Sequence, residues 1–508
     1  ITETVGLLIP DQMGQGGFAQ NNTISLFGAG VQIAGSIYGG YSANGDGSLN
    51  PDKAFSGNTL NLEAFRGSVK GIYNVEHYNW DLPEDVVNND TIIQITGGDM
   101  VNLDNTKHTV TISSKGNHLK KGEQVTLIDK AVGEPYYIND DMLPGQQGLP
   151  IQVGIGHLLL QNARLDVMED SALLTMVDDP IINPRAKAYL EKRVASIAVN
   201  NQAADMMADY SMDQSACKTA LFAVADGGDS RYKTHSHIDL RDFKIALGAS
   251  HCFDLPSTST AMVGGFFEYG QANFDSYSEF DDYPDVHGWG KLHYSGIGAL
   301  FHMNVAGTSK SQASKPLLDS KDGLYLNAVL RGGKGKSDFK TDDINDAQGV
   351  SGSYDSKAKY YSAMAGLGYA INFSDKHALD VYGRYTWSKV SSDSVWIDDE
   401  RLDFDSTKST RLRLGARYLF AATPQVTPYV GLAYEREFSG KATGSTTYRG
   451  QKFDVDSISV KGNTGVVELG MTVNPVAHKD ALTLNMGVKG YFGERRGASA
   501  GVNLRYAF

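Results

Sequence analysis

The sequence predicts an all-β protein: a 12-stranded antiparallel transmembrane β-barrel plugged by one α-helix and preceded by a parallel β-solenoid fragment. Three observations lead there. At the chain end Val502, Leu504, Tyr506 and Phe508 fall on one side of a strand, and Asn503, Arg505 and Ala507 on the other. That period of two is how a strand separates lipid from a wet lumen. The pattern recurs upstream in about twelve segments of the length a tilted membrane strand needs. One stretch, near 183–213, carries a helical pattern instead and is too charged to face lipid.

Composition bounds the answer. A chain of 508 residues is too long for one ordinary core, so two domains are expected. Hydrophobic residues make up 41%, with no run long enough for a transmembrane helix, which excludes a helical membrane protein but not a barrel. Gly (56) and Tyr (26) are plentiful and Pro (14) is scarce, which suits strands, tight turns and aromatic girdles. The formal charge of -13 lacks the basic footprint of a nucleic-acid partner. Ile1-Thr2-Glu3-Thr4 has neither a basic start nor an apolar run, so the sequence reads as mature or trimmed.

Residues 1–182 hold two internal echoes. Asn22-Thr23-Ile24-Ser25-Leu26 recurs as Asn58-Thr59-Leu60-Asn61-Leu62, and Gly35-Ser36-Ile37-Tyr38-Gly39 recurs as Gly67-Ser68-Val69-Lys70-Gly71. Short strands are predicted at Thr91–Ile95, Thr109–Ser113, Gln124–Ile128 and Ala172–Met176. Strands parted by Asn and Gly turns, with self-similarity, read as stacked rungs of a parallel β-solenoid, the alternative being a β-sandwich. No HExxH, GxSxG, phosphate loop or CxxC occurs, so no metal, cofactor or catalytic group is predicted. His77, His108, His118 and His157 read as scattered solvated groups, and Asp81, Glu84 and Asp85 around Pro83 as a polar loop.

From Asn183, a suitable N-cap, and Pro184, small and apolar residues recur at helical spacing to about residue 213. The polar side carries Arg185, Lys187, Glu191, Lys192, Arg193, Asn200, Asn201, Asp205 and Asp209, whose charges find partners inside a polar lumen. Residues 214–508 then form the barrel. In its eighth segment Leu412, Leu414, Ala416, Tyr418 and Phe420 face outward, with Arg411, Arg413 and Arg417 inward. Short turns alternate with long polar loops at 339–353, 391–406 and 440–462, the membrane-barrel asymmetry. Trp289, Tyr369, Tyr385, Trp387, Tyr434 and Tyr491 near segment ends read as an interfacial girdle. Gly228-Asp229-Ser230 looks like a lipase box but lies in a predicted hairpin loop.

Pro184-Arg185-Ala186-Lys187-Ala188-Tyr189 with Asn201-Gln202-Ala203-Ala204-Asp205 resembles the pore helix of the classical monomeric autotransporters of type V secretion. Gly265–Gly270, Tyr382–Tyr385, Thr427–Tyr434 and the terminal Phe508 resemble that family's translocator strands. The resemblance covers the whole chain. It implies that residues 1–182 are the membrane-proximal end of a right-handed β-solenoid passenger, with more passenger ahead of Ile1. It also implies a bacterial outer-membrane location, a passenger at the cell surface, and a monomer. The implied partners are outer-membrane lipid and lipopolysaccharide, the barrel-assembly machinery, which would read Tyr506 and Phe508 as a signal, and an unidentified host or cell-surface ligand. Asp205 and Asp209 are expected near Arg384, Arg411, Arg413 or Arg417. Cys217 and Cys252 would sit side by side at the periplasmic rim, compatible with a disulfide in that oxidising compartment. Some family members cut their own helix between two asparagines, which makes Asn200-Asn201 the one catalytic candidate, set against two polar lumenal residues. The leading functional reading is a non-enzymatic adhesin or stalk. An enzymatic head outside this fragment and a helix-plugged channel are the alternatives.

Overall fold

The computed structural model describes residues 18–42, 54–97, 101, 103, 106–117, 119–130, 148–167, 171–212, 218–234, 236–255, 259–305, 317–318, 323–346, 349–475 and 481–508. It divides into two compact units, Ile1–Asn183 with Asn345–Val350, and Pro184–Ile344 with Ser351–Phe508.

In the first unit the strand Thr23–Tyr38 lies parallel to Thr59–Tyr73. From the latter, two parallel ladders run on. One passes through His77–Leu82, Lys107–Ile112 and Leu149–Ile155, the other through Asp90–Ile95 and Gln124–Lys130. Leu159–Val167 and Ser171–Met176 pair antiparallel with the last strand of each ladder and with each other. Stacked inward positions form one apolar core, including Leu60, Tyr78, Trp80 and Val110 on one ladder and Val69, Ile93 and Ile128 on the other.

The first sequence echo is a structural register: Thr23 pairs with Thr59, Ile24 with Leu60 and Leu26 with Leu62. Its leading Asn residues close the turns. Asn58 Oδ1 accepts the Asn22 backbone N–H at 3.1 Å, while Asn58 Nδ2 donates to the Asn74 carbonyl at 2.9 Å. The second echo is not in register. Bulges shift the strand so that Ile37 pairs with Ile72 rather than Val69, and Gly67 faces Val31. Three polar readings also change. Asp81 is a buried strand residue, 6% exposed, rather than part of a loop. His157 is buried, and His118 lies outside the described residues. His108 stacks on Tyr78 at 5.1 Å, and its Nδ1 accepts from Trp80 Nε1 at 3.1 Å. Burial lowers its pKa to about 4, because a charged imidazolium would be desolvated there.

The second unit is a closed antiparallel barrel. Its strands are Ala220–Lys233, His237–Asp254, Thr260–Ser278, Val286–Asn304, Gly323–Asn345, Ser351–Ser374, His377–Val390, Thr407–Phe420, Val426–Glu437, Gly462–Val473, Leu482–Gly493 and Arg495–Ala507. The first and last pair from Ala220↔Ala507 to Tyr232↔Arg495, which closes the ring of twelve strands. Turns such as 375–376 and 421–425 lie at the rim of Ala220 and Ala507. The predicted long loops are largely strand instead. The fifth and sixth strands run to 23 and 24 residues, about twice what a bilayer needs. Asp393–Ile397 pairs with Glu400–Phe404, and Lys441–Tyr448 with Gln451–Ser459, through a turn in which Arg449 and Gly450 both have positive φ. Gly228-Asp229-Ser230 likewise sits within the first strand rather than in a loop. Tyr491 is not in the girdle: it is 4% exposed and faces inward, as its odd place beside outward Val488 requires.

Inside the barrel the chain forms a 3-10 turn at Pro184–Leu190 and an α-helix at Glu191–Met212. The α-helix therefore starts eight residues after Asn183, whose side chain contacts the His157 carbonyl and is not its N-cap. Its 22 residues span about 33 Å, close to the hydrocarbon thickness of a bilayer. Among the described residues no helix is long and apolar enough to cross a membrane itself, a statement that does not bear on strands.

Candidate functional site: a helix-filled lumen

Nearly every residue of the helix is buried, so its contacts divide by depth and by face. At the long-loop rim aromatic and backbone groups hold it. Tyr354 Oη donates to the Tyr189 carbonyl at 2.5 Å, and the Tyr189 ring meets Phe339 edge-on at 5.6 Å. Lys192 Nζ lies over the rings of Tyr354 and Phe404, at 5.7 and 5.8 Å. Arg193 donates to the carbonyls of Ser391 (2.5 Å), Asp405 (3.1 Å) and Val390 (3.3 Å).

Midway, Asn200 and Asn201 lie in unbroken helix. Arg331 donates to the Asn200 backbone and side-chain oxygens at 3.0 and 3.2 Å, and is itself fixed by Glu268 at 2.8 Å. Asn201 Nδ2 donates to Ser409 Oγ at 2.8 Å. Beside them Gln202 Nε2 donates to Tyr232 Oη at 2.9 Å, and Lys244 bridges Asp226 at 2.9 Å and Asp242.

One turn further, Asp205 takes both Arg411 nitrogens at 3.0 Å and Arg413 at 3.0 Å, and both arginines are shared with Glu435. Asp209 takes Arg384 at 2.6 Å, Arg417 at 3.2 Å and also Lys489, while Arg417 is anchored by Glu468 at 2.6 Å. Asn201, Asp205 and Asp209 follow i, i+4, i+8 spacing, so one helical face meets one charged wall, supplied by the seventh to eleventh strands. The opposite face is apolar. Met206, Met207 and Tyr210 pack with Phe222, Val224, Ala246, Met262, Phe266, Leu300, Val329 and Met364 of the first six strands. Tyr210 stacks on Phe222 at 4.3 Å.

Sequence reasoning missed Arg331, Glu268, Glu435 and Glu468. Each sits at an inward position that strand alternation already marks, but a charge on a strand does not reveal which wall it shares. It also missed the apolar half of the lumen. The spaces left between helix and wall include cavities of about 30 and 40 Å³, each with room for a few waters. Among the described residues no cluster of His, Cys, Asp and Glu could hold a metal ion. Cys252 is disulfide-bonded, and Cys217, the other cysteine of the chain, lies outside the described residues. Tyr506 and Phe508 point outward, 53% and 68% exposed.

A closed antiparallel barrel whose bore is filled by the helix preceding it in sequence defines a class, the self-plugged transmembrane barrel. The chain belongs to the autotransporter β-domain family, whose model matches residues 221–487, more than half of its length. Autotransporter barrels sit in the bacterial outer membrane. Similar solved structures include the β domain of the Bordetella autotransporter BrkA, 16% identical, covering 57% of this chain and 100% of that one with a TM-score of 0.42. The translocator domain of NalP from Neisseria meningitidis is 12% identical, covering 64% and 100% with a TM-score of 0.46. The transport unit of AIDA-I from Escherichia coli is 12% identical, covering 64% and 99% with a TM-score of 0.43. The comparison with curated proteins returns no match.

Proposed function

We propose that this outer-membrane translocator carries its own amino-terminal unit to the cell surface and remains as its anchor, with the helix left in the bore. The observation that carries the reading is the helix direction. Tyr189 and Arg193 lie against the long-loop strands, and Met212 lies near Tyr325, toward the rim of Ala220 and Ala507. The barrel unit's own first residues, from Pro184, therefore lie at the long-loop rim, the extracellular side of such barrels. In intact cells, protease should remove the amino-terminal unit and leave the barrel; full protection of that unit until the outer membrane is opened would sink the proposal.

The amino-terminal unit reads as the last rungs of a parallel β-solenoid, supported by its two parallel ladders. Its function is that of an adhesin or stalk toward a host or cell-surface ligand, without chemistry of its own. The barrel works as a monomer in outer-membrane lipid, and Tyr506 and Phe508 serve the barrel-assembly machinery. Asn200 and Asn201 are positioning residues rather than a cleavage site, since both are engaged by the wall within continuous helix. The mass of the membrane-inserted chain should be that of the uncut polypeptide. We assign the Cys252 disulfide to Cys217; two free thiols by mass spectrometry would remove it.

A further inference from the structure

The outward face of the barrel is not uniform in charge. On its first two strands each outward arginine has a carboxylate: Arg231 meets Asp239 at 2.6 Å, and Arg241 meets Asp229 at 3.2 Å. On the fourth to seventh strands, besides Lys340 nearer the long-loop rim, six outward lysines, Lys291, Lys334, Lys336, Lys357, Lys359 and Lys389, have no ion pair among the described residues. Their direction is fixed by alternation, because Leu292, Tyr294, Gly335, Ser337, Ala358 and Val390 between them line the lumen. Their proximity is fixed by register. His293 pairs with Lys336 and Ser295 with Lys334; Tyr361 pairs with Lys389, and Ser391 N–H donates to the Lys359 carbonyl. The four strands are adjacent, so the six ammonium groups share a patch about 15 Å wide. Three acids, Asp338, Asp355 and Asp393, share the band and leave it cationic, the last accepting the Lys357 backbone N–H at 3.0 Å.

The level of this patch matters as much as its sign. Toward the short-turn rim the same outward rows turn aromatic and then aliphatic. Tyr361 and Tyr385 are about half exposed, followed by Ile297, Leu330 and Leu367, which are 62%, 60% and 52% exposed. Tyr rings at the boundary of an apolar band mark the headgroup level of a bilayer. The lysines therefore stand where the outer leaflet presents its phosphates, above a smooth surface for acyl chains.

We propose that this face binds a phosphorylated glycolipid of the outer leaflet, lipopolysaccharide, through its lipid A phosphates. The proposal rests on the outer-membrane reading above. The unpaired ammonium groups supply the countercharge that anionic headgroups seek at an interface, and the paired arginines of the first two strands do not.

The test uses the full chain, refolded into phospholipid vesicles and scored first by the gel shift of folded barrels, then extracted and examined by native mass spectrometry. The probes are diphosphoryl lipid A, monophosphoryl lipid A and phosphatidylglycerol. Wild-type protein should retain them in that order. Lys334→Gln with Lys336→Gln, Lys357→Gln and Lys359→Gln should lower lipid A retention at least ten-fold, and Arg231→Gln with Arg241→Gln should leave it unchanged. Equal retention by the lysine variant overturns the site, as does phosphatidylglycerol binding as well as diphosphoryl lipid A. A wild-type chain that never inserts into vesicles overturns the outer-membrane reading, and the site with it.

Discussion

Around the turns from Asp205 to Tyr210, below the level at which Arg331 of the fifth strand bonds Asn200, the two halves of the lumen wall hold the same helix by different physics. The first six strands offer Phe222, Phe266, Met262 and Met364 to its apolar face; the seventh to eleventh offer Arg384, Arg411, Arg413, Arg417 and Lys489 to its acidic one. The apolar half supplies non-directional burial, which would tolerate a small rotation of the helix. The charged half supplies direction. Desolvation offsets much of the attraction of a buried ion pair, yet removing one partner leaves an uncompensated charge. The difference teaches that adhesion and registration of a plug can be assigned to opposite walls.

The comparison breaks most sharply at the acids. Asp205→Leu with Asp209→Leu strands the guanidinium groups around them and should cost about 3–5 kcal/mol. Planar-bilayer conductance should rise as the helix loses its seat, and unchanged conductance would assign registration elsewhere. On the other wall Phe266→Ala should cost about 3 kcal/mol in urea unfolding from vesicles while conductance stays closed, because the ionic contacts persist.

The amino-terminal unit offers a third packing, in which one titratable group sits inside stacked aromatics. The His108 pKa, lowered to about 4 by burial, lies below the unfolded value near 6.5, so the unfolded chain binds the extra proton between the two. Stability of that unit is therefore full above pH 6.5 and falls as pH drops toward 4, by about 3 kcal/mol. Thermal unfolding followed by Trp80 fluorescence should show the slope, and His108→Phe should flatten it. The smallest effect belongs to the exposed outer pair: Arg231→Gln should change stability by about 0.5 kcal/mol or less.

Much of this was legible in the sequence. Alternation around Arg411, Arg413 and Arg417 is a local property of one strand, so barrel, lumen side and helix could be read directly. The pairing of Asp205 with Arg411 rather than Arg384 depends on where strands remote in sequence close around the bore, which no local period encodes. The solvated reading of His108 failed for the same reason, since its aromatic partners come from another rung, 28 and 30 residues earlier. The long loops misled because polar hairpins such as 441–459 pair with each other above the membrane, where strands need no apolar face. The second echo misled because bulges slip the register after Phe27, Ala29 and Ile33.

The unbroken run from Glu191 to Met212 acts as a ruler that tolerates substitution better than insertion. Dropping a single residue above Asn201 would swing everything below it by about 100°, carrying both acids off their guanidinium docks. Removing seven would restore the facing to within about 20°, at the expense of roughly 10 Å of reach. Length changes in this segment should therefore be accepted in steps near seven, and relatives that share the double dock should keep its distance from the rim to that quantum.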